Sequence, residues 1–220
     1  MHITIINLSP HETSQSNTVK MINYFQKGLN EKGVTVDICH IAEKDCFERA
    51  EQTFLNNEYI IFAVPVYAGL IPSFSMSFFS RLYTFVQQGK KTDMKKNISF
   101  LLQGGFPEAC QRKCCEQYLE NIASCLNGDF GGVLSSCINA HFTDKKDEAQ
   151  TLNNYTKLAH CFVENECSFF FKKDIVATCS DFFSEDQART FNHTFNVYYK
   201  YVSGLKGCDT DLKYKHYDYL

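Results

Sequence analysis

Three segments of the chain gather residue types able to hold a phosphorylated, ring-bearing ligand. The first, Ser9-Pro10-His11-Glu12-Thr13-Ser14-Gln15-Ser16-Asn17-Thr18, crowds hydroxyls and an amide just ahead of Val19, Ile22, Phe25 and Leu29, which stand at helical spacing. The first backbone N–H groups of a helix have no partner within it, and the helix dipole is positive there. Such a start, ringed by hydroxyls, takes phosphate oxygens without a cationic side chain. Ser9, Ser14, Ser16, Asn17 and Thr18 are the candidate contacts. The same residue types are more often plain helix caps, and that alternative stands beside the ligand reading.

The second segment, Pro65-Val66-Tyr67-Ala68-Gly69-Leu70-Ile71-Pro72-Ser73, joins two prolines, a glycine and a tyrosine. It reads as a rigid wall against which a planar ring can lie, with Pro65, Val66, Tyr67, Ala68 and Gly69 as contacts. A strand-to-helix turn in which Pro72 starts the helix would use the same residues. In the third segment, Gln103-Gly104-Gly105-Phe106-Pro107-Glu108, two glycines let backbone approach a ligand closely and Phe106 can shield it.

The elements that must position these segments follow from periodicity. Ile3–Leu8 is an apolar, β-branched run, and the helix after the first loop stops at Gly33. Val34–Ile38 alternates apolar and polar residues, as an edge strand does. Tyr59–Val64 and Ile98–Leu102 are nearly continuous apolar runs, as central strands covered on both faces are. Phe74, Phe78, Leu82 and Phe85 mark a helix between them, and Cys110, Cys114, Tyr118 and Ile122 share one face of the next, which ends near Gly128. A fifth strand fits Val133–Ile138, and a helix runs from about Asp144 through Val163. Strand and helix alternating five times predicts a parallel five-stranded sheet in the order 2-1-3-4-5 with helices on both faces. All three candidate segments then meet at the carboxyl edge of the sheet, near the switch between the first and third strands. Residues 1–172 form this domain. Residues 173–220 form a C-terminal extension with a helix over about 185–203, opened by Ser184 and Gln187 and striped by Phe191, Phe195, Tyr198 and Tyr201.

With those elements in view, Ser9-Pro10 with Ser16-Asn17-Thr18, Pro65-Val66-Tyr67 with Pro72-Ser73, and a helix carrying Arg81 together resemble the flavodoxin-like family of NAD(P)H-dependent FMN reductases and quinone reductases. The similarity covers roughly residues 1–170. It implies that the first loop holds the phosphate of FMN and that the loops after the third and fourth strands hold the isoalloxazine ring. NADH or NADPH is then the electron donor, a small molecule the acceptor, and a homodimer the assembly. Gly104, Gly105 and Phe106 would border the ring edge and slot, with Tyr67 beside them, and no side chain need act as a nucleophile. His11 stands where family members often have arginine, and Ser80 where aspartate often precedes the arginine.

Composition narrows the remaining classes. The 220 residues carry a formal net charge of −3, which disfavours a nucleic-acid binder working through a broad basic surface. An electron-carrier flavodoxin is usually shorter and strongly acidic, so the reductase is preferred to it. A flavin-free binding protein of the same fold is the third reading. No apolar run reaches membrane-spanning length. Eleven cysteines in a chain that begins with a strand-like run read as reduced thiols in the cytoplasm. Cys39 and Cys46 look isolated, no Cys-x-x-Cys occurs, and Cys110, Cys114 and Cys115 read as small packing residues. The scattered histidines lack a zinc-binding spacing, and Gly-x-Ser-x-Gly is absent, so neither a metal site nor a serine hydrolase is expected.

Overall fold

The computed structural model of the chain describes residues 1–11, 16–43, 46–67, 69–88, 94–104, 110–137 and 145–170. Ten elements alternate along it: β1 (His2–Asn7), α1 (Asn17–Glu31), β2 (Thr35–His40), α2 (Cys46–Asn56), β3 (Tyr59–Val66), α3 (Ser73–Gln87), β4 (Lys96–Gly104), α4 (Cys110–Cys125), β5 (Gly128–Cys137) and α5 (Lys145–Glu164). The strands are parallel throughout and lie in the order β2-β1-β3-β4-β5. The half-exposed β2 is at one edge and the largely buried β3 and β4 are inside, as the apolar runs at their centres require. Among the described residues no helix is long and apolar enough to cross a membrane.

Alternate side chains of each strand feed two cores. Ile6, Leu8, Phe62, Val64, Phe100 and Leu102 pack against α2, α3 and α4. Ile3, Ile5, Ile61, Ala63 and Leu101 pack against α1 and α5. Phenylalanine builds the centre of the first core: Phe62 stacks on Phe100 at 5.6 Å and meets Phe79 edge-on at 5.2 Å. In the second, α1 and α5 approach so closely that a Cβ on Gly28 would collide with the Thr156 carbonyl and the Ala159 side chain.

Three sequence expectations are corrected. Helix α2, counted in the alternation, is given no residues in the sequence reading, although Cys46, Ala50 and Phe54 are buried at helical spacing. Its signal is weak because two of those residues are small and the charged Glu51 lies buried with them. On α4 the buried stripe is Cys115, Leu119, Ile122 and Leu126, while Tyr118 is exposed. The helix is rotated so that its tyrosine faces water. Strand β5 begins at Gly128, five residues before Val133, because Gly128 and Gly131 sit where Ile98 and Ser99 of β4 leave no room for a side chain. A bulge follows, and Gly132, at φ +92°, lies beside Phe169. The proposed boundary at 172, the C-terminal helix over 185–203 and the aromatic tail lie outside the described residues.

Arg81, part of the motif that carries the resemblance, joins two helices. Its guanidinium donates to Glu51 through Nε at 2.5 Å and to Glu48 through Nη2 at 2.6 Å, so it clasps α3 to α2. The arginine that contributed to the family resemblance is therefore engaged with another helix.

Candidate functional site

The chain leaves β1 at Asn7, and everything that follows is tied to that residue. Asn7 is fully buried. Its Oδ1 accepts a hydrogen bond from the Ser9 backbone N–H at 3.0 Å, and its Nδ2 lies 2.9 Å from His40 Nδ1 at the end of β2. With the amide donating, His40 accepts at Nδ1 and carries its proton on Nε2. One step on, the Leu8 carbonyl accepts from the Ser75 hydroxyl in the first turn of α3 at 2.8 Å. The start of loop one is thus pinned between β2 and α3.

Ser9 is the hub of the loop. Its hydroxyl accepts the His11 backbone N–H at 3.2 Å, lies 3.4 Å from Ser16 Oγ, and neighbours the Tyr67 phenol. Burial holds the Tyr67 hydroxyl above its ordinary pKa, and the Ser9 side chain pulls the other way. The Tyr67 ring remains 46% exposed, so the phenol end is tucked against loop one while the ring presents a face to solvent.

Ser16 occupies the N-cap position of α1 with extended backbone, φ −65° and ψ 124°, yet its side chain makes no capping hydrogen bond. The plain-cap alternative for Ser16 therefore fails. No acidic side chain stands in the first turn of α1, and the first helical bond runs from Lys20 N–H to the Ser16 carbonyl. A helix N-terminus that Ser16 does not cap, bordered by the Ser9 and Ser16 hydroxyls, has the donor chemistry of an anion cradle. Asn17 opens the helix, and Thr18 is buried in its first turn.

Loop two is a tight turn. Tyr67 N–H donates to the Leu70 carbonyl at 2.9 Å, Leu70 N–H donates back at 3.0 Å, and Gly69 takes φ +79°, which a side chain would oppose. Because the Tyr67 N–H is used inside the turn, any ligand contact of this residue falls to its ring. Cys115 on α4 donates its thiol to the Gly69 carbonyl at 3.3 Å, bracing the turn from below. Pro65 and Val66 are not loop residues but the buried end of β3, paired with Gln103 and Gly104 at the end of β4. Gln103 Nε2 donates to the Gly104 carbonyl at 2.8 Å.

Ser9, Ser16, Tyr67 and the Tyr67–Leu70 turn thus come together, and Gly104 ends its strand level with Val66. Ser14, Ala68, Gly105 and Phe106 lie outside the described residues. Asn7, His40, Ser75 and Cys115 support the site and were missed from sequence. Only Asn7 left a trace there, as the one amide inside an apolar strand run.

Neither a family model nor a curated protein sequence matches the chain. Solved structures do. The chain is similar to an NADH:FMN oxidoreductase, EMOB, in its apo form, at 17% identity over 73% of this chain and 88% of that one, with a TM-score of 0.51. It is similar to RosB with a bound 8-demethyl-8-formylriboflavin-5'-phosphate intermediate, at 12% identity over 74% and 76% of the two chains, TM-score 0.56. It is also similar to an NAD(P)H:quinone oxidoreductase from Methanothermobacter marburgensis, at 13% identity over 74% and 97%, TM-score 0.53. The fold is flavodoxin-like, and the strand order reverses between β1 and β3 at the sheet edge where the candidate loops lie.

Proposed function

We propose that the protein is an FMN-dependent oxidoreductase that passes hydride from NADH or NADPH through bound flavin to a small acceptor: a quinone, a nitro or azo compound, a free flavin or ferric iron. The observation that carries this reading is the N-terminus of α1, left without a side-chain cap by Ser16 and bordered by the Ser9 hydroxyl. Those groups, with Ser14, Asn17 and Thr18, would hold the phosphate. The ends of β3 and β4 and the turn after β3 would wall the ring through Pro65, Val66, Tyr67, Ala68, Gly69, Gln103, Gly104, Gly105 and Phe106. When bound, the flavin supplies reversible hydride acceptance. The chain's part is to hold the ring, offer donors at its edge and shape the slot.

Two of the similar structures are named as an NADH:FMN and an NAD(P)H:quinone oxidoreductase, which supports the same reading. A homodimer in the cytoplasm is the assembly and compartment proposed with it. The test is a visible spectrum of the purified protein, or of apoprotein given FMN, followed by NADH or NADPH under anaerobic conditions. A flavin spectrum bleached by one of the nucleotides is expected. A colourless protein that leaves FMN fluorescence unquenched overturns the proposal, and bleaching that requires a separate reductase assigns the protein as an electron carrier.

A further inference from the structure

Cys39 and Cys46, far from being isolated, have their sulfurs 3.7 Å apart. Cys39 is the penultimate residue of β2 and Cys46 the first residue of α2, so the end of the strand and the start of the helix bring the two thiols together. Each residue is about 3% exposed. The cover over them includes two long charged side chains: Glu43 Oε2 lies 3.9 Å from Cys46 Sγ and accepts from Arg49 at 3.3 Å, and both of these side chains reach solvent. The Arg49 guanidinium also lies beside the Cys39 sulfur. Among the described residues no set of three metal-binding side chains forms, so the pair is not part of a larger ligand cluster.

We propose that Cys39 and Cys46 are a redox-active dithiol that closes to a reversible disulfide when a hydroperoxide reaches it. The two sulfurs need to approach by roughly 1.7 Å to bond, within reach of side-chain rotation and a small shift at the start of α2. Their roles differ. Burial and the neighbouring Cys39 push the Cys46 thiol up to about 12, which makes it the poorer thiolate of the two and the resolving partner. Cys39 therefore attacks first. Its thiolate bonds to the terminal oxygen of the hydroperoxide, the O–O bond breaks, and the alcohol or water leaves with a proton, giving a sulfenic acid. Cys46 then bonds to the Cys39 sulfur, the S–O bond breaks, and water leaves with the Cys46 proton. Two thiols and one hydroperoxide give one disulfide, one alcohol or water, and one water. A small dithiol reverses the reaction by exchange.

The pair lies one residue from His40, which holds Asn7, but its chemistry does not depend on what loop one binds. The test treats the intact full-length protein with hydrogen peroxide, blocks remaining thiols with N-ethylmaleimide under denaturing conditions, digests with trypsin and reads the peptides by mass spectrometry. Cleavage after Lys32, Lys44 and Arg49 places Cys39 and Cys46 on separate peptides, 33–44 and 45–49. A joined 33–44/45–49 species that dithiothreitol separates is expected. In Cys46→Ser, Cys39 should instead be trapped as a sulfenic acid by dimedone. Recovery of both cysteines as maleimide adducts while exposed Cys125 is oxidised overturns the proposal. So does Cys39 passing to sulfinic acid in the wild-type protein without a disulfide.

Discussion

Replacing Arg81 with methionine should destabilise the fold without touching ligand binding, and the structure sets the size of the effect. The Glu51 side chain is 5% exposed and receives Arg81 Nε at 2.5 Å and Nη2 at 3.3 Å. The guanidinium also lies 5.7 Å from the centre of the Phe47 ring. Methionine keeps the stem but removes the charge, leaving a carboxylate dry and unpaired between α2 and α3. Stripping one partner from a fully buried pair costs about 3–5 kcal/mol. The Arg81 side chain is itself 44% exposed, so water reaches the vacated edge and the expected loss is about 1.5–3 kcal/mol. Urea unfolding followed by circular dichroism should show a lower midpoint at unchanged slope. Arg81→Met combined with Glu51→Met should regain most of the loss, because the orphaned charge is then gone. Glu48→Gln, at an exposed position, should change little. An Arg81→Met protein with wild-type stability and lost FMN affinity would refute the clasp and assign Arg81 to the ligand site instead.

Three further outcomes follow from the same geometry. Lys96 Nζ caps the Leu55 and Asn57 carbonyls at 2.6 and 2.7 Å, while burial lowers its pKa from 10.5 to about 8. Between those values the unfolded chain binds more protons than the folded one, so stability from this group rises with pH from about 8 to 10.5. Urea midpoints across that window should show the rise in wild type and its loss in Lys96→Met. Asn7→Ala leaves the Ser9 N–H buried without its acceptor, costing about 1–3 kcal/mol, and should weaken FMN binding more than Thr35→Ala at the exposed edge, as read by fluorescence titration. Gly28→Ala forces α1 from α5, and the collision outweighs the gain in helix propensity of about 1 kcal/mol; calorimetry should show a Tm lower by roughly 2–8 °C. An unchanged or raised Tm would mean that the helices separate without cost.

What the sequence made legible was set by how each element meets its neighbours. The middles of β3 and β4, Tyr59–Val64 and Ile98–Leu102, are covered on both faces, so apart from Ser99 they are apolar and their central place could be read directly. Thr35–His40 is covered on one face and alternates. Helix α2 lies beside the edge strand, and its buried side is made of a thiol, an alanine, a phenylalanine and the Glu51 carboxylate, a pattern that does not read as apolar. The start of β5 was hidden because its glycines exist for contact with β4 and carry no strand propensity of their own. Loop positions were legible because they follow from strand ends. The links between them, Ser9 to Tyr67 and Asn7 to His40, join residues brought together only by the parallel sheet. The same holds for Cys39 and Cys46, which chain spacing separates and which the end of β2 and the start of α2 reunite.

The central claim is that the N-terminus of α1 and the Ser9–Ser16 hydroxyls receive a phosphate carried by a flavin. It is tested most directly by titrating apoprotein into FMN and, separately, into riboflavin, which has the same ring without the phosphate, and following the quenching of flavin fluorescence. Saturable quenching of FMN, at least tenfold tighter than that of riboflavin, is the predicted result, since loss of the phosphate contacts removes about 1.4 kcal/mol or more. Equal affinity for the two, or no quenching of FMN, would contradict the account.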